Sequence, residues 1–438
     1  MRSVRKGAAG ACITFLLAFP ACTGGGGAAS TAKTIKIAVD VPLTGSEARA
    51  GTTTLNGVSF FVRRHPTLDG FNIVIDARDD PGGTTTSRGV KNLEALVADP
   101  QVLAMIGPFD EGVARAQIPI ANRAHLAMVS VTTSSRCLTK EPFLPASLDP
   151  MRTTISCKMA GLPAPTELRP TGVNNYFRLS TTDDLQGPAA ADYAAKHLQL
   201  RRVAVLSDGE AYGQALANGF RARFNKLGGT VVDHRDMTSL NAADLTSFLQ
   251  RAKKDGAQAL YFGGTSASGS CAIRTEMASI FDTATSPAPM LGGDGIALDP
   301  TCLRDAGANA PGIFATVPTA DAEQIDSAKP LIVAFRHQFG RPGDLGPYTI
   351  AAYDATGVVY DAIDRAIKAA GGNMPARDSI VAELAATTAF SGATGSFGFD
   401  AAGDTTLRLL SIFTPAGTNP RDGWTWVDTV DYSATLPY

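Results

Sequence analysis

Thr34-Ile-Lys-Ile-Ala-Val-Asp40 runs straight into Pro42-Leu-Thr-Gly45, and then into the stretch 53–64 with Leu55, Val58, Phe61 and Val62 at helical spacing. The first segment alternates and is rich in β-branched residues, which predicts a strand. The Pro-Gly segment breaks it, and the 3.6-residue period that follows predicts a helix. The same unit then repeats. Phe71-Asn-Ile-Val-Ile-Asp76 reads as a strand, and 88–98 as a helix with Val90, Leu93, Leu96 and Val97 on one face. Val102-Leu-Ala-Met-Ile106 is a strand, 113–124 a helix and Leu126-Ala-Met-Val-Ser130 a strand. Strand and helix alternating at short intervals is the pattern of a parallel sheet covered by helices on both faces.

A Pro-rich insertion, 138–172, interrupts this order, with six prolines between Pro142 and Pro170. The alternation then restarts, with strands expected over 175–179, 202–206, 230–233, 259–262 and 287–291. Helices are expected over 186–198, 212–227, 243–255 and 270–281. Gly228-Gly229 supplies a helix stop signal. Helical stretches at 330–339, 348–369 and 378–387, a hairpin-like Gly398-Phe-Asp-Ala-Ala-Gly403 and a last strand at 407–413 complete the reading. The expected fold is therefore α/β, with two doubly wound parallel-sheet lobes. Ligands of such sheets sit at the carboxyl ends of the strands, here in the cleft between lobes.

The chain has 438 residues, a formal net charge of −2 and 44% hydrophobic residues, so bulk electrostatics recruits neither nucleic acid nor an anionic membrane. Met1-Arg-Ser-Val-Arg-Lys6, a short apolar stretch at 8–19 and Pro20-Ala21-Cys22 make residues 1–21 a signal peptide. Cys22 looks like the lipid-bearing cysteine of a bacterial lipoprotein, followed by a Gly-rich tether over 22–33; ordinary cleavage and a free secreted protein is the alternative. Cys12 leaves with the signal peptide. Cys137, Cys157, Cys271 and Cys302 remain, an even number in an oxidising compartment. Three pairings are open, and proximity favours Cys137–Cys157 and Cys271–Cys302. No CxxC occurs and the five histidines are scattered, so no metal site is expected.

The strand-end loops carry no nucleophile elbow, no HExxH and no phosphate loop. They carry small polar groups instead: Ser130-Val-Thr-Thr-Ser-Ser135, Gly263-Gly-Thr-Ser-Ala-Ser268 and Gly292-Gly-Asp-Gly295. Hydroxyls, amides beside glycine and one acid suit the orientation of a polar solute rather than covalent chemistry.

Ile35-Lys-Ile-Ala-Val, Pro42-Leu-Thr-Gly45, Gly51 and Asn56-Gly57 resemble the opening of type I periplasmic binding proteins, the leucine/isoleucine/valine-binding group of ABC-transporter receptors. Asp79-Asp80, Ile106-Gly107-Pro108, Met128-Val129-Ser130, Gln186-Gly187-Pro188, Tyr212-Gly213, Gly263-Gly264 and Gly292-Gly-Asp-Gly295 extend the resemblance across 34–415. It implies three crossings between lobes, near Leu179, Val317 and Ser411. The N-terminal lobe is then 34–179 plus 318–410, and the C-terminal lobe 180–317 plus 411–438. It also implies that the Ser134 hydroxyl holds a ligand carboxylate, that the Thr132 carbonyl accepts from a ligand ammonium and that Asp294 pairs with that ammonium. Tyr212 opens a helix of the second lobe, Phe109 and Tyr348 line the side-chain pocket, and Thr265 replaces a family aromatic and leaves room.

One residue departs from the pattern. Glu111 stands where the family offers a serine to the carboxylate. Two like charges about 4 Å apart repel by roughly 4 kcal/mol at an effective dielectric of 20. A cleft-facing Glu111 disfavours an α-carboxylate and favours a cationic or amide solute. A solvent-facing one, an acid favoured at a helix N-terminus, leaves the amides of Glu111 and Gly112 for a carboxylate. The expected function is an extracytoplasmic, monomeric, non-enzymatic receptor without cofactor, which delivers an amino acid, branched-chain or similar, to an ABC permease. A ligand sensor for a membrane signalling partner is the rival, and a secreted amidase would need a nucleophile–base pair that the loops lack.

Overall fold

The structure, a computed structural model, describes residues 33–45, 47–81, 86–148, 154–237, 241–283, 286–341, 343–419 and 422–437. The signal-peptide and Cys22 readings lie outside them. Among the described residues no helix is long and apolar enough to cross a membrane.

The first sheet is built from β1 (Lys33–Val41), β2 (Thr67–Leu68), β3 (Phe71–Asp79), β4 (Val102–Ile106), β5 (Ala127–Ser130) and β6 (Tyr176–Arg178), in the order β2-β3-β1-β4-β5-β6. Only the β2–β3 pair is antiparallel. The helices α1 (Ala48–Arg64), α2 (Ser87–Ala98) and α3 (Glu111–Arg123) connect the strands. Both faces of β1 are buried: Ile35, Ile37 and Val39 enter one core cluster and Ala38 another. A near-continuous apolar run is what a central parallel strand requires.

The second sheet has a parallel part of five strands, extended beyond its last strand by two late strands, Leu409–Pro415 and Trp424–Asp431. Its parallel part is β7 (Arg202–Ser207), β8 (Thr230–Asp236), β9 (Ala259–Gly263), β10 (Met290–Gly292) and β11 (Ile313–Val317). The helices α4 (Gln186–Lys196), α5 (Ala211–Lys226), α6 (Ala242–Lys254), α7 (Ser270–Phe281) and α8 (Pro300–Ala306) accompany it. In both sheets the second strand of the parallel run lies outside the first, and the third, fourth and fifth follow on the other side. The strand order therefore reverses between β1 and β4, and between β7 and β9, which opens a crevice at each point.

The chain then returns to the first lobe through α9 (Lys329–Phe339), α10 (Thr349–Ala369) and α11 (Arg377–Ala385), followed by the hairpin β12 (Phe390–Gly392) and β13 (Gly395–Phe397). Helix α10 is buried along most of its length and packs its Val358, Val359, Ile363 and Ile367 into the core under β1 and β4. Gly57 lets α1 and α10 approach, since a Cβ there would lie 2.0 Å from the Thr349 carbonyl oxygen. The Gly398–Gly403 turn is present, closed by an antiparallel bridge between Phe399 and Thr405. Several features went unread in the sequence: the short strand β2, helix α8, strand β11, the β12–β13 hairpin and the edge strand β15 (Trp424–Asp431), which pairs antiparallel with β14 (Leu409–Pro415). So the sheets are parallel-dominated rather than wholly parallel.

Three segments pass side by side between the sheets. The Thr181 amide donates to the Pro318 carbonyl at 2.7 Å and the Ser411 amide to the Thr319 carbonyl at 3.1 Å. The Thr181 hydroxyl donates to the Leu409 carbonyl at 3.1 Å. Both disulfides join the proximal cysteines, Cys137–Cys157 with Cα atoms 5.7 Å apart and Cys271–Cys302 at 5.1 Å. The first staples the Pro-rich insertion. The second ties α7 to α8 across 31 residues, and the Cys271→Ser, Cys302→Ser double variant should lose about 3 kcal/mol in chemical denaturation.

Arg178, fully buried at the end of β6, is compensated on every side. Its guanidinium donates to Asp404 Oδ1 at 2.7 Å, to the carbonyls of Ser135 at 2.8 Å and Thr133 at 3.3 Å, and to the Thr139 hydroxyl at 2.6 Å. Removing one partner of a buried pair strands the other, so Arg178→Met should destabilise the fold by about 3–5 kcal/mol in urea unfolding.

Asp40 behaves oppositely. Burial pushes its carboxyl up to about 7, against hydrogen bonds from Gln117 and Asn92 that favour the ion. The folded state keeps this proton over a range in which the unfolded chain has lost it, so the stability associated with Asp40 falls as pH rises towards 7. The stability of Asp40→Asn relative to wild type should therefore grow by about 2–3 kcal/mol between pH 5 and pH 7, read from thermal melts at the two values.

Candidate functional site

The loops that leave the carboxyl ends of the strands in both sheets enclose a cavity of about 440 Å³. From the first lobe come Glu47 after β1, Phe109, Asp110 and Glu111 after β4, Thr132 and Ser134 after β5, and Tyr348 before α10. From the second come Asp183, Tyr212 after β7, Thr265 after β9, and Asp294 and Gly295 after β10. All eight residues singled out in the sequence as ligand contacts, Phe109, Glu111, Thr132, Ser134, Tyr212, Thr265, Asp294 and Tyr348, line this one cavity.

The second-lobe wall is held by backbone approach and hydrogen bonds. Gly213 and Gly263 bring the start of α5 against the end of β9, and a Cβ on Gly263 would lie 2.0 Å from the Gly213 carbonyl oxygen. That contact carries Tyr212 to the cleft, where its hydroxyl donates to Asp294 Oδ1 at 2.5 Å and accepts from the Gly295 amide at 3.1 Å. Gln186 Nε2 lies 2.8 Å from Asp294 Oδ1 and 2.9 Å from Asp183 Oδ1. One neutral amide nitrogen serves two carboxylates, whose oxygens are therefore within about 6 Å, a separation at which two charges repel by about 3 kcal/mol at an effective dielectric of 20. Thr265 caps a short 3₁₀ turn, with its amide on the Ser268 hydroxyl at 2.9 Å.

The first-lobe wall is organised around the loop after β5. The Thr132 hydroxyl donates to the Phe109 carbonyl at 2.7 Å, tying this loop to the one after β4. Phe109 and Tyr348 meet edge to face, with ring centroids 5.7 Å apart. Glu111 resolves the two readings of the sequence by satisfying parts of both. It is the first residue of α3, and it faces the cleft with its side chain 32% exposed. Its Oε1 accepts the Ser134 amide at 2.9 Å and the Ser135 amide at 2.5 Å, with the Ser134 hydroxyl 3.5 Å away. The carbonyl of the Thr133–Ser134 peptide points to Arg178 and its N–H to Glu111, so a single trans peptide unit lies between opposite charges. The Gly112 amide, open to a carboxylate ligand in the sequence reading, is taken by Asp110, which caps α3 through Gly112 at 2.7 Å and Val113 at 3.2 Å. Ser134 does not cap the next turn; Ser135 holds that position.

Burial raises the carboxyls of Glu111, Asp183 and Asp294 above the usual carboxylate range. For Asp183 the charges of Glu111 and Asp294 add to the effect. For Glu111 the Ser134 and Ser135 amides and the charges of Arg178 and Arg115 work against it. Sequence reasoning missed Asp183, Glu47 and Asp110 as cavity residues, and Gln186 as the group joining two of the acids. The signal for Asp183 was Asp183-Asp184 standing directly after the expected first crossing and before Gln186. Among the described residues no group of three His, Cys, Asp or Glu is placed to hold a metal ion.

Known proteins place this architecture. The sequence pattern of the periplasmic binding protein family matches residues 34–414. Leu/Ile/Val-binding protein homolog 3 of Brucella melitensis is 28% identical over 335 residues, 76% of this chain and 79% of that protein. Leu/Ile/Val-binding protein BraC3 of Rhizobium johnstonii is 26% identical over 382 residues, covering 86% and 91%. The isoleucine complex of a branched-chain amino acid transporter substrate-binding protein from Streptococcus pneumoniae superposes with a TM-score of 0.64 at 20% identity, over 91% of this chain and all of that one. Two parallel-dominated sheets, a cleft at their carboxyl edges and a sequence match over nearly the whole described chain agree: the protein belongs to the type I periplasmic binding proteins of the Leu/Ile/Val-binding group, a family of extracytoplasmic solute-binding proteins and not of enzymes.

Proposed function

We propose that this chain is the receptor of an ABC importer, which closes two lobes on a small ammonium-bearing solute and presents the closed form to a membrane permease. The observation that carries this reading is the composition of the 440 Å³ cavity, which draws its lining from strand-end loops of both sheets, in a molecule whose sheets are joined by three adjacent connecting segments. A site divided between two bodies on a narrow connection suits hinge closure, in which ligand contacts to both lobes stabilise the closed form. The lobes we propose are 34–179 with 318–410, and 180–317 with 411–438. Asp294 and Asp183 receive the ammonium, with the Thr132 carbonyl opposite; Phe109, Tyr212 and Tyr348 form the walls and Thr265 leaves room beside them. The names of the Brucella and Rhizobium relatives support an amine-bearing ligand with an aliphatic body. Anchoring through a lipid on Cys22 completes the proposal.

The two tryptophans of the chain provide a readout. Trp424 and Trp426 line a separate cavity of about 710 Å³, together with Phe335, Phe339 and the Ala320–Gln324 segment, so elements of both lobes meet there. A solute that raises the melting temperature should also shift tryptophan emission as the lobes rotate; stabilisation with unchanged emission for every solute would count against closure. Asp294→Asn should weaken binding about 10- to 100-fold, the worth of a charge-assisted hydrogen bond, while leaving the unliganded protein folded by circular dichroism.

A further inference from the structure

We infer that the cleft is built for a small organic cation without a free carboxylate, a primary amine or diamine, and that Glu111 takes the place of the ligand carboxylate. This deepens the receptor reading and rests on it. The first ground is the state of the donors. The Ser134 and Ser135 amides, on the loop to which the family resemblance assigns a ligand carboxylate, already donate to Glu111 Oε1 at 2.9 and 2.5 Å. The amides at the start of α3, the other anion-binding position at this end of the cavity, already donate to Asp110 Oδ1 at 2.7 and 3.2 Å. An incoming carboxylate meets two carboxylates of the protein in the positions it would need.

The second ground is the sign of the lining. Glu47, Asp110, Glu111, Asp183 and Asp294 line the cavity, and no Lys or Arg stands among its described lining residues. The cations near these acids stand outside the lining: Arg115 lies 3.9 Å from Glu111 Oε2 on the next turn of α3, and Arg178 is spent on Asp404 and the loop carbonyls. Between the acids the links are neutral. Ser134 joins Glu111 to Asp183, its amide donating to the one and its carbonyl accepting the other's amide at 2.9 Å, and Gln186 joins Asp183 to Asp294. An ammonium placed between Asp183 and Asp294 supplies the missing positive charge and donates to both. The faces of Phe109, Tyr212 and Tyr348 attract the same charge. A second ammonium has Glu111 to meet, which is why diamines belong to the class.

Full-length protein and its Glu111→Ser and Glu111→Gln variants would be titrated calorimetrically with 3-methylbutylamine, 1,4-diaminobutane, L-leucine and calcium chloride, with melting curves checking that each variant is folded. 3-Methylbutylamine is leucine without its carboxylate, so the pair isolates that group. Wild type should bind the two amines at least tenfold more tightly than L-leucine. Glu111→Ser, which frees the two amides, should gain at least tenfold for L-leucine, and Glu111→Gln should lose affinity for the diamine. Wild-type binding of L-leucine as tight as that of the amines, unaltered by either variant, overturns the inference and leaves the receptor reading standing. Binding of calcium in place of the amines overturns it as well. Silence of the wild type towards the amines together with silence of Glu111→Ser towards L-leucine overturns both readings.

Discussion

A guanidinium with no access to water organises the centre of this molecule. Arg178 is fully buried, and an ion in that position persists only when its charge and its donors are matched. Asp404, itself held well below the usual carboxylate range by the charges of Arg178 and Lys140 in spite of its burial, matches the charge. The carbonyls of Thr133 and Ser135 and the Thr139 hydroxyl match the remaining donors. The loop after β5 therefore turns its carbonyls inward. Because a trans peptide points its N–H opposite to its C=O, the Ser134 amide must then face the cleft. What the cleft offers to a ligand follows from an ion pair that no ligand touches.

The same loop links the two lobes. Its Ser134 carbonyl accepts the Asp183 amide just beyond the first connecting segment, and the Ser180 hydroxyl donates to the Thr133 carbonyl at 2.5 Å. Arg136, at its far end, pairs with buried Asp184 at 2.8 Å. The Pro-rich insertion, stapled by Cys137–Cys157, begins where this loop ends, and Lys140 within it pairs with Asp404 at 2.8 Å. The insertion thus braces the base of Arg178 from the side away from the cleft. That gives the segment a physical role which its composition, read as a loop, did not suggest.

The cleft itself collects acids at a cost. Burial drives three carboxyls towards the protonated form, two of them share the Gln186 amide, and at Asp183 the charges of the other two add to the effect. Binding sites commonly hold such unrelieved interactions, because the ligand that relieves them is thereby favoured over one that does not. Family membership makes the chain a solute-binding protein, and the cavity draws its lining from the strand-end loops of both sheets. Membership does not fix the ligand: Glu111, at the position where the resemblance implies a serine, puts a carboxylate at one end of the cavity.

Much of this was legible in the residues alone. Alternating β-branched segments and 3.6-residue periods are local properties, so the strand–helix order and the strand-end loops could be read without coordinates. The proximal disulfide pairs followed from short separations, and the eight candidate contacts from loop position and resemblance. Strand β15 escaped because a half-buried antiparallel edge strand shows no clean alternation. Asp183 escaped because its place in the cavity depends on how three distant segments pass one another, which no local pattern encodes. The direction of Glu111 was undecidable for the same reason. A helix N-terminus welcomes an acid whichever way the side chain points, and only the packing of the 133–139 loop on Arg178 decides that two amides wait for it on the cleft side. The sequence by itself determined most of the elements, the family resemblance and the candidate contacts; the tertiary structure decided which charges line the cavity, because those are set by contacts between residues far apart along the chain.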